Sequence, residues 1–362
     1  MKAVVCTGLN QISVEDVVLD PPKAGEVKVK MTATGVCHSD LSATNGTIRM
    51  MPPVVLGHEG AGKVVEVGPG VTNVAPGDTV ILTFVPNCGK CFHCVRGEPY
   101  LCRAIPPTGR QADGTSRLHW NGKDLGAFTA LGCMAEEAVV PAISVVKIEQ
   151  NVPARVAALI GCGVTTGVGA AIKTAQVKPG ATVAVFGCGG VGLSCIQGAR
   201  IAGAERIIGV DLAPNKLEMA QKFGATDVVN AGEGDAVEKV KQMTPGNVGV
   251  DYAFEAIGVA AVMEQAYRAT RRGGKTIIVG VGKFTDQVKF NALLLSLESK
   301  TICGCNYCSV NAQEDFPKLI NLYLRGKLDL EGMVTNTYTI DRAVEAFKDL
   351  EAGVNARGVI VF

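Results

Sequence analysis

Residues 182–211 read TVAVFGCGGVGLSCIQGARIAGAERIIGVD: an apolar strand, a glycine turn, a helix-period segment and a second apolar strand. Two strands joined through a helix must run parallel, and such crossovers are almost always right-handed. The pattern recurs. Apolar runs at 182–186, 206–211, 250–255 and 275–281 alternate with helix-period segments or glycine-rich turns. That predicts a doubly wound parallel sheet wrapped by helices. Before Pro153 the pattern is different: EVKVKMTATG, GKVVEVGPGV and GDTVILTFV are short alternating strands punctuated by Pro-Gly and Gly-Asp turns. The last 60 or so residues carry two amphipathic helical stretches, about 312–325 and 341–352, and a final strand, GVIVF.

At 362 residues the chain exceeds the roughly 250–300 at which one hydrophobic core stops growing, so two domains are expected. Net charge +1 and few aromatic residues (5%) give no electrostatic or stacking reason to expect nucleic acid or an acidic membrane as partner. The first residues, MKAVVCTGLNQ, lack the apolar core and cleavage site of a signal peptide. The longest uncharged run, 179–199, holds six glycines and coincides with the glycine turn, not with a membrane span. Thirteen cysteines, an odd number, point to thiols and metal ligands in a reducing compartment. The expected location is the cytoplasm.

Gly187, Gly189 and Gly192, with Gly190 and Val191 between them, fit G-x-G-x-x-G directly after a strand. Glycines there let backbone N–H groups approach a pyrophosphate at a helix N-terminus. Asp211 ends the next strand, where a carboxylate accepts from ribose hydroxyls and repels a 2′-phosphate. A nicotinamide dinucleotide, NAD in preference to NADP, is the expected cofactor.

Cys88, Cys91, Cys94 and Cys102 are spaced C-x2-C-x2-C-x7-C. Four thiolates so close in sequence can close a tetrahedral shell around zinc with no open position, which makes the site structural. Elsewhere, GVCHSD carries Cys37, LGHEGAG carries His58 and Glu59, and LIGCGVTTG carries Cys162. Two thiolates and one imidazole leave a fourth zinc position open for substrate. From spacing alone, Cys37 reads equally as a buried apolar residue and His58 as a turn histidine.

The stretch GHEGAGKVVEVGPGV at 57–71, with the four-cysteine segment, GCGGVG and Asp211, resembles the zinc-dependent alcohol dehydrogenases of the medium-chain dehydrogenase/reductase superfamily. The similarity is to the liver-type and glutathione-dependent formaldehyde dehydrogenase branch. It implies a Rossmann domain (164–306) set into a GroES-like, partly β-barrel catalytic domain (1–163 and 307–362). By the same resemblance Cys37, His58 and Cys162 bind catalytic zinc, Glu59 lies near it, and Asp40 orients the histidine. Ser39 would hydrogen-bond the alcohol. His38 and Arg357 would contact the cofactor pyrophosphate, Lys216 the adenosine ribose, and Thr166 and Val191 the nicotinamide. Phe84 and Phe128 would wall the substrate pocket. Two zinc ions per chain, NAD and a small alcohol or aldehyde are the implied ligands. The implied reaction is hydride transfer from alcohol to nicotinamide.

Three residues after Ser39, where many liver-type members carry a histidine, stands Ser42. Val259 occupies a position where some relatives have a cofactor-contacting arginine. The segment ATNGTIRMM (43–51) lacks the acids that glutathione-dependent relatives use to hold their adduct; Ile48, Met50 and Met51 make it apolar. A bulky primary alcohol, aromatic or allylic, is therefore the expected substrate. The alternatives are a glutathione- or thiol-dependent formaldehyde dehydrogenase and a non-catalytic NAD-binding module. His93 reads as a solvated loop residue, and His119 and Trp120 carry no readable role. The strand near 301–305 is expected to pair across a two-fold axis, giving a homodimer or homotetramer.

Overall fold

A computed structural model describes residues 1–105 and 108–362, which divide into two compact units. The first holds Met1–Cys162, Asn311–Gly326 and Leu330–Phe362; the second holds Gly163–Val310 and Lys327–Asp329. The sequence-based boundary differs slightly: residues 163, 307–310 and 327–329 side with the second unit. Asp329 exchanges backbone hydrogen bonds with the Gln197 amide (3.1 and 2.8 Å). The turn at 307–310 seats against the helix Gly163–Gly169, where Gly169 leaves room for it.

The first unit is built round one long strand, Glu26–Val36. Val27, Val29, Met31 and Ala33 point into its core while Lys28, Lys30 and Thr32 turn outward, the period-2 alternation of a sheet with one buried face. Each buried valine or methionine contributes about 1.5–3 kcal/mol. Gly60–Val67 pairs along this strand with two register shifts, Glu137–Pro141 pairs with its first half, and Arg357–Val361 with its last. Thr79–Leu82, Val145–Lys147 and Val334–Thr339 complete a seven-stranded sheet. A second, six-stranded sheet of short strands runs from Gln11–Asp16 through Lys2–Gly8, Val54–Val55, Lys123–Ala127 and Leu118–Trp120 to Val18–Leu19.

The register sets up the site. Thr34 lies opposite Gly60 and Val36 opposite Gly358, so Glu59 and Arg357 arrive beside the end of the strand that runs into Cys37.

The second unit is a six-stranded parallel sheet in the order Asp227–Asn230, Arg206–Asp211, Thr182–Phe186, Val250–Glu255, Thr270–Ile278, Thr301–Gly304. Its strand order, third-second-first-fourth-fifth-sixth along the chain, is that of a doubly wound dinucleotide fold. Its core is continuous and apolar, with Phe186, Ile208, Val210 and Ala253 buried. No single helix among the described residues is long and apolar enough to cross a membrane.

Candidate active site and metal centres

Cys37 is the residue just before the helix His38–Thr44. That helix begins as soon as the strand ends, so one turn presents Cys37, Ser39 and Asp40 together. The Ser39 hydroxyl lies 3.8 Å from the Cys37 sulfur. His38, exposed, sits at the helix start. Asp40 is wholly buried; it accepts the Gly57 N–H at 2.9 Å and faces His58 Nδ1 at 3.2 Å. With Nδ1 held this way, the buried His58 Nε2 has no hydrogen-bond partner. The rings of Phe84 and Phe128 stand edge-on to the imidazole, with centroids at 5.5 and 5.3 Å.

Cys37, His58, Glu59 and Cys162 are all buried, and their donor atoms lie within 4.8 Å of one another. Burial pushes the His58 imidazole down, but Asp40 and Cys37 outweigh it and hold it well above its usual value. The Cys162 thiol beside it holds Cys37 well below the ordinary thiol range, while Cys162 itself is pushed up. Burial lifts Glu59 to about 7 against the pull of Arg357. Two thiols, one carboxyl and an unpartnered imidazole nitrogen make a donor set that suits a borderline-soft divalent cation. The fit to zinc is therefore chemical as well as geometric.

Arg357, buried at 5% exposure, pairs with Glu59. Nothing local in the chain announces this pairing, since 298 residues separate the two. It depends on Gly35, where a Cβ would collide with the Glu59 carboxylate. A glycine inside the otherwise β-forming run EVKVKMTATGV was the available signal. Ile48 and Met50 pack against the apolar cluster that contains Phe128 and Leu56, whereas Met51 is 89% exposed. Ser42 lends its carbonyl to the Ile48 N–H at 2.8 Å, which fixes that loop.

The sulfurs of Cys88, Cys91, Cys94 and Cys102 form a second group within 4.8 Å, with Cys88–Cys94 and Cys91–Cys102 at 3.9 Å. Backbone N–H groups already point at them. The Cys94 N–H draws the Cys91 thiol down to about 6, and those of Lys90 and Cys91 lower Cys88. His93 stands apart from this group, one-third exposed, with Nδ1 3.2 Å from Glu98.

In the second unit Gly189 precedes the helix Gly190–Ile201. A Cβ at Gly192 would meet the Gly187 carbonyl oxygen, so the helix can start this close to the strand only with glycine there. Val191 is half-buried in its first turn. Asp211 ends its strand beside the turn: it accepts from the Cys188 N–H at 2.8 Å and from Leu212 and Ala213 at 2.8 and 3.1 Å. Lys216 follows, half-buried, in the helix Pro214–Lys222. Thr166 lies half-buried on Gly163–Gly169, and Val259 is 46% exposed.

Residues 23–150 match the alcohol dehydrogenase GroES-like domain, and residues 190–325 match the zinc-binding dehydrogenase family. An S-(hydroxymethyl)glutathione dehydrogenase of Escherichia coli O1:K1 / APEC is 40% identical over 354 residues, 96% of each chain. The crystal structure of a benzyl alcohol dehydrogenase from Acinetobacter calcoaceticus superposes with a TM-score of 0.94 at 32% identity, covering 100% of this chain and 99% of that one. An alcohol dehydrogenase zinc-binding domain protein from Burkholderia ambifaria gives 0.94 at 34%, covering 100% and 98%. With its paired zinc-type donor groups and its dinucleotide turn, the chain belongs to the zinc-dependent medium-chain alcohol dehydrogenases, in the liver-type and glutathione-dependent branch, and is an NAD-dependent oxidoreductase.

Proposed function

We propose that this enzyme oxidises bulky primary alcohols, aromatic or allylic, to aldehydes with NAD. The observation that carries the substrate class is the apolar surround of His58. Phe84 and Phe128 meet the ring edge-on, and the acid-free segment 43–51 packs Ile48 and Met50 on the cluster that includes Phe128. The Acinetobacter relative, a benzyl alcohol dehydrogenase, agrees with a pocket of this kind.

Cys37, His58 and Cys162 would hold the catalytic zinc, and Cys88, Cys91, Cys94 and Cys102 the structural one. Zinc, when bound, supplies Lewis acidity that lowers the pKa of an alcohol hydroxyl from about 16 to near 7. The rest falls to the chain. Ser39, beside Cys37, takes the proton from the alcohol hydroxyl. Asp40 fixes the His58 ring so that Nε2 is the free donor. Glu59 and Arg357 balance one another in a site that burial keeps dry. In the other unit the glycine turn and Asp211 hold the dinucleotide. Lys216 is the ribose contact there, and Thr166 and Val191 contact the nicotinamide; Arg357, which the resemblance assigned to the pyrophosphate, is instead buried against Glu59.

The second reading is a glutathione-dependent formaldehyde dehydrogenase, favoured by the 40% identity to the Escherichia coli enzyme. Initial rates of NADH formation across benzylic, allylic and short aliphatic alcohols, and with formaldehyde with and without glutathione, separate the two. Thiol-independent turnover that rises with alcohol size is expected. Activity confined to formaldehyde plus glutathione would replace the first reading by the second.

Two further properties belong to this proposal. A second copy of the chain is the expected partner, docking along the strand Thr301–Gly304. This strand has a neighbour on one side only, and the adjoining helix Ala292–Leu297 exposes Leu293 and Leu297 at 65 and 70%. A reducing, cytoplasmic setting is supported by thirteen cysteines of which none is in a disulfide.

A further inference from the structure

The segment CNYCS (305–309), directly after the last parallel strand, places two thiols in a C-x-x-C pair that neither zinc group uses. The sulfurs of Cys305 and Cys308 lie 3.1 Å apart, already inside ordinary sulfur contact and about 1 Å from the length of a disulfide bond. The turn between them is held in a left-handed conformation at three successive non-glycine residues: φ is 45° at Tyr307, 56° at Cys308 and 57° at Ser309. Packing imposes this. Cys308 sits in the gap over Gly169, where an added Cβ would lie 2.9 Å from the Cys308 Cβ. Thr174 anchors the turn from the other side, 3.3 Å from the Cys305 sulfur and 3.2 Å from the Ser309 hydroxyl.

We propose that Cys305 and Cys308 are a reversible dithiol–disulfide site that responds to hydroperoxides and, through the helix Gly163–Gly169 on which Cys308 is seated, alters dinucleotide affinity. A C-x-x-C pair beside a parallel β-α unit in a reducing compartment is a redox arrangement when one thiol is reachable and acidified. Cys305 is half-buried and Cys308 fully buried, so Cys305 is the thiol that a small oxidant reaches. The Cys308 thiol lowers it, while burial raises Cys308, so the proton stays on the inner sulfur. The Cys305 thiolate attacks the peroxide O–O bond, giving a sulfenic acid and releasing the alcohol or water of the peroxide. The Cys308 sulfur then attacks the sulfenic sulfur, the S–S bond forms, and the hydroxyl leaves with the Cys308 proton as water. Two thiols and one hydroperoxide give one disulfide, one alcohol and one water; a dithiol reverses the change. Cys308 is seated over Gly169 on the helix Gly163–Gly169, which carries Thr166, the residue assigned to the nicotinamide, so drawing its sulfur into a disulfide shifts the packing of that helix. The coupling rests on the cofactor reading given above; the bond itself does not.

The test uses the zinc-loaded, NAD-competent protein, treated with hydrogen peroxide, then alkylated under denaturing conditions and digested with trypsin. The peptide 301–318 carries Cys303, Cys305 and Cys308. One alkylated cysteine and the loss of two hydrogens, reversed by dithiothreitol, kept in Cys303→Ser and lost in Cys305→Ser and Cys308→Ser, is the expected result. Three alkylated cysteines at peroxide doses that oxidise other thiols, or loss of the bond in Cys303→Ser, overturns the site. NADH affinity, followed by fluorescence on the same samples, should change on the order of tenfold on oxidation and return on reduction. Unchanged affinity in protein shown to hold the bond overturns the coupling.

Discussion

Asp40 shows how much one side chain can decide. It is fully buried, and its carboxylate takes the Gly57 N–H and the His58 Nδ1 and nothing from solvent. Without it the imidazole loses both its tautomer and its orientation. Asp40→Ala should weaken zinc binding at this site by about 10–100-fold, read by competition with a chelator, with the four-cysteine site as internal control. Equal loss from both sites would show a general unfolding instead. The Glu59–Arg357 pair makes a second residue-scale case. Both side chains are buried, so removing one leaves an uncompensated charge. Arg357→Ala should cost about 3–5 kcal/mol in urea unfolding of the zinc-loaded protein, and the double variant Glu59→Gln/Arg357→Met should recover much of it. No recovery would mean that the loss is one of packing. The metal donors were legible because their residue types and motifs are local. The partner of Glu59 was not, because strand register, and not sequence distance, brings Arg357 to it.

At the scale of elements, the four-cysteine segment has almost no core of its own. The helix Phe92–Val95 and the turn Pro99–Leu101 bury no residue, Phe92 and Val95 are 68% exposed, and of the four sulfur residues only Cys102 is buried. Zinc must therefore supply the order of this segment. Cys94→Ser should halve the zinc content and open residues 88–102 to proteolysis, while the NADH affinity of the other unit stays unchanged. Retention of two zinc ions would refute the closed site. His119, for which the sequence offered no role, ties the short strands Val18–Leu19, Leu118–Trp120 and Lys123–Ala127 together: it lies 2.9 Å from Asp20 and 3.2 Å from Asp124. The Asp20 hydrogen bond raises its pKa above the ordinary value. The contribution is full below the unfolded histidine pKa of about 6.5 and is lost as pH rises through the higher folded value. Thermal melts of His119→Gln should therefore fall below wild type near pH 5.5 (about one unit under that pKa) and converge with it at alkaline pH; a constant offset would exclude the linkage. The parallel strands were legible to the residue at 182–186, 206–211 and 250–255. The fifth strand starts earlier than its apolar run because Thr270 pairs with Val250 before residues 271–274 bulge out, and pairing resumes at Lys275. Alternation of apolar residues cannot show a strand that crosses a bulge of charge and glycine.

For the whole molecule, the open side of Thr301–Gly304 and the leucines beside it form the surface on which the proposed second copy would dock. An unpaired strand edge next to exposed apolar side chains is a liability unless covered. Leu293, Leu297 and Phe284 are 65, 70 and 83% exposed, and none of the helix Ala292–Leu297 is buried. A two-fold axis through the strand would extend the six-stranded sheet into its copy and bury both helices, each interface residue meeting its own symmetry partner. At about 1.5 kcal/mol for each buried leucine, Leu293→Glu with Leu297→Glu removes four such contributions from a dimer. That is about 6 kcal/mol, or roughly four decades in the dissociation constant. Light scattering at micromolar concentration should then give a monomer mass for the double variant and a dimer or tetramer mass for wild type. Helix content should be unchanged, because these side chains support nothing within their own chain. If both proteins scatter as the same oligomer, the association surface lies elsewhere and this edge is covered by another means. If both are monomers, the exposed leucines serve something other than a second copy.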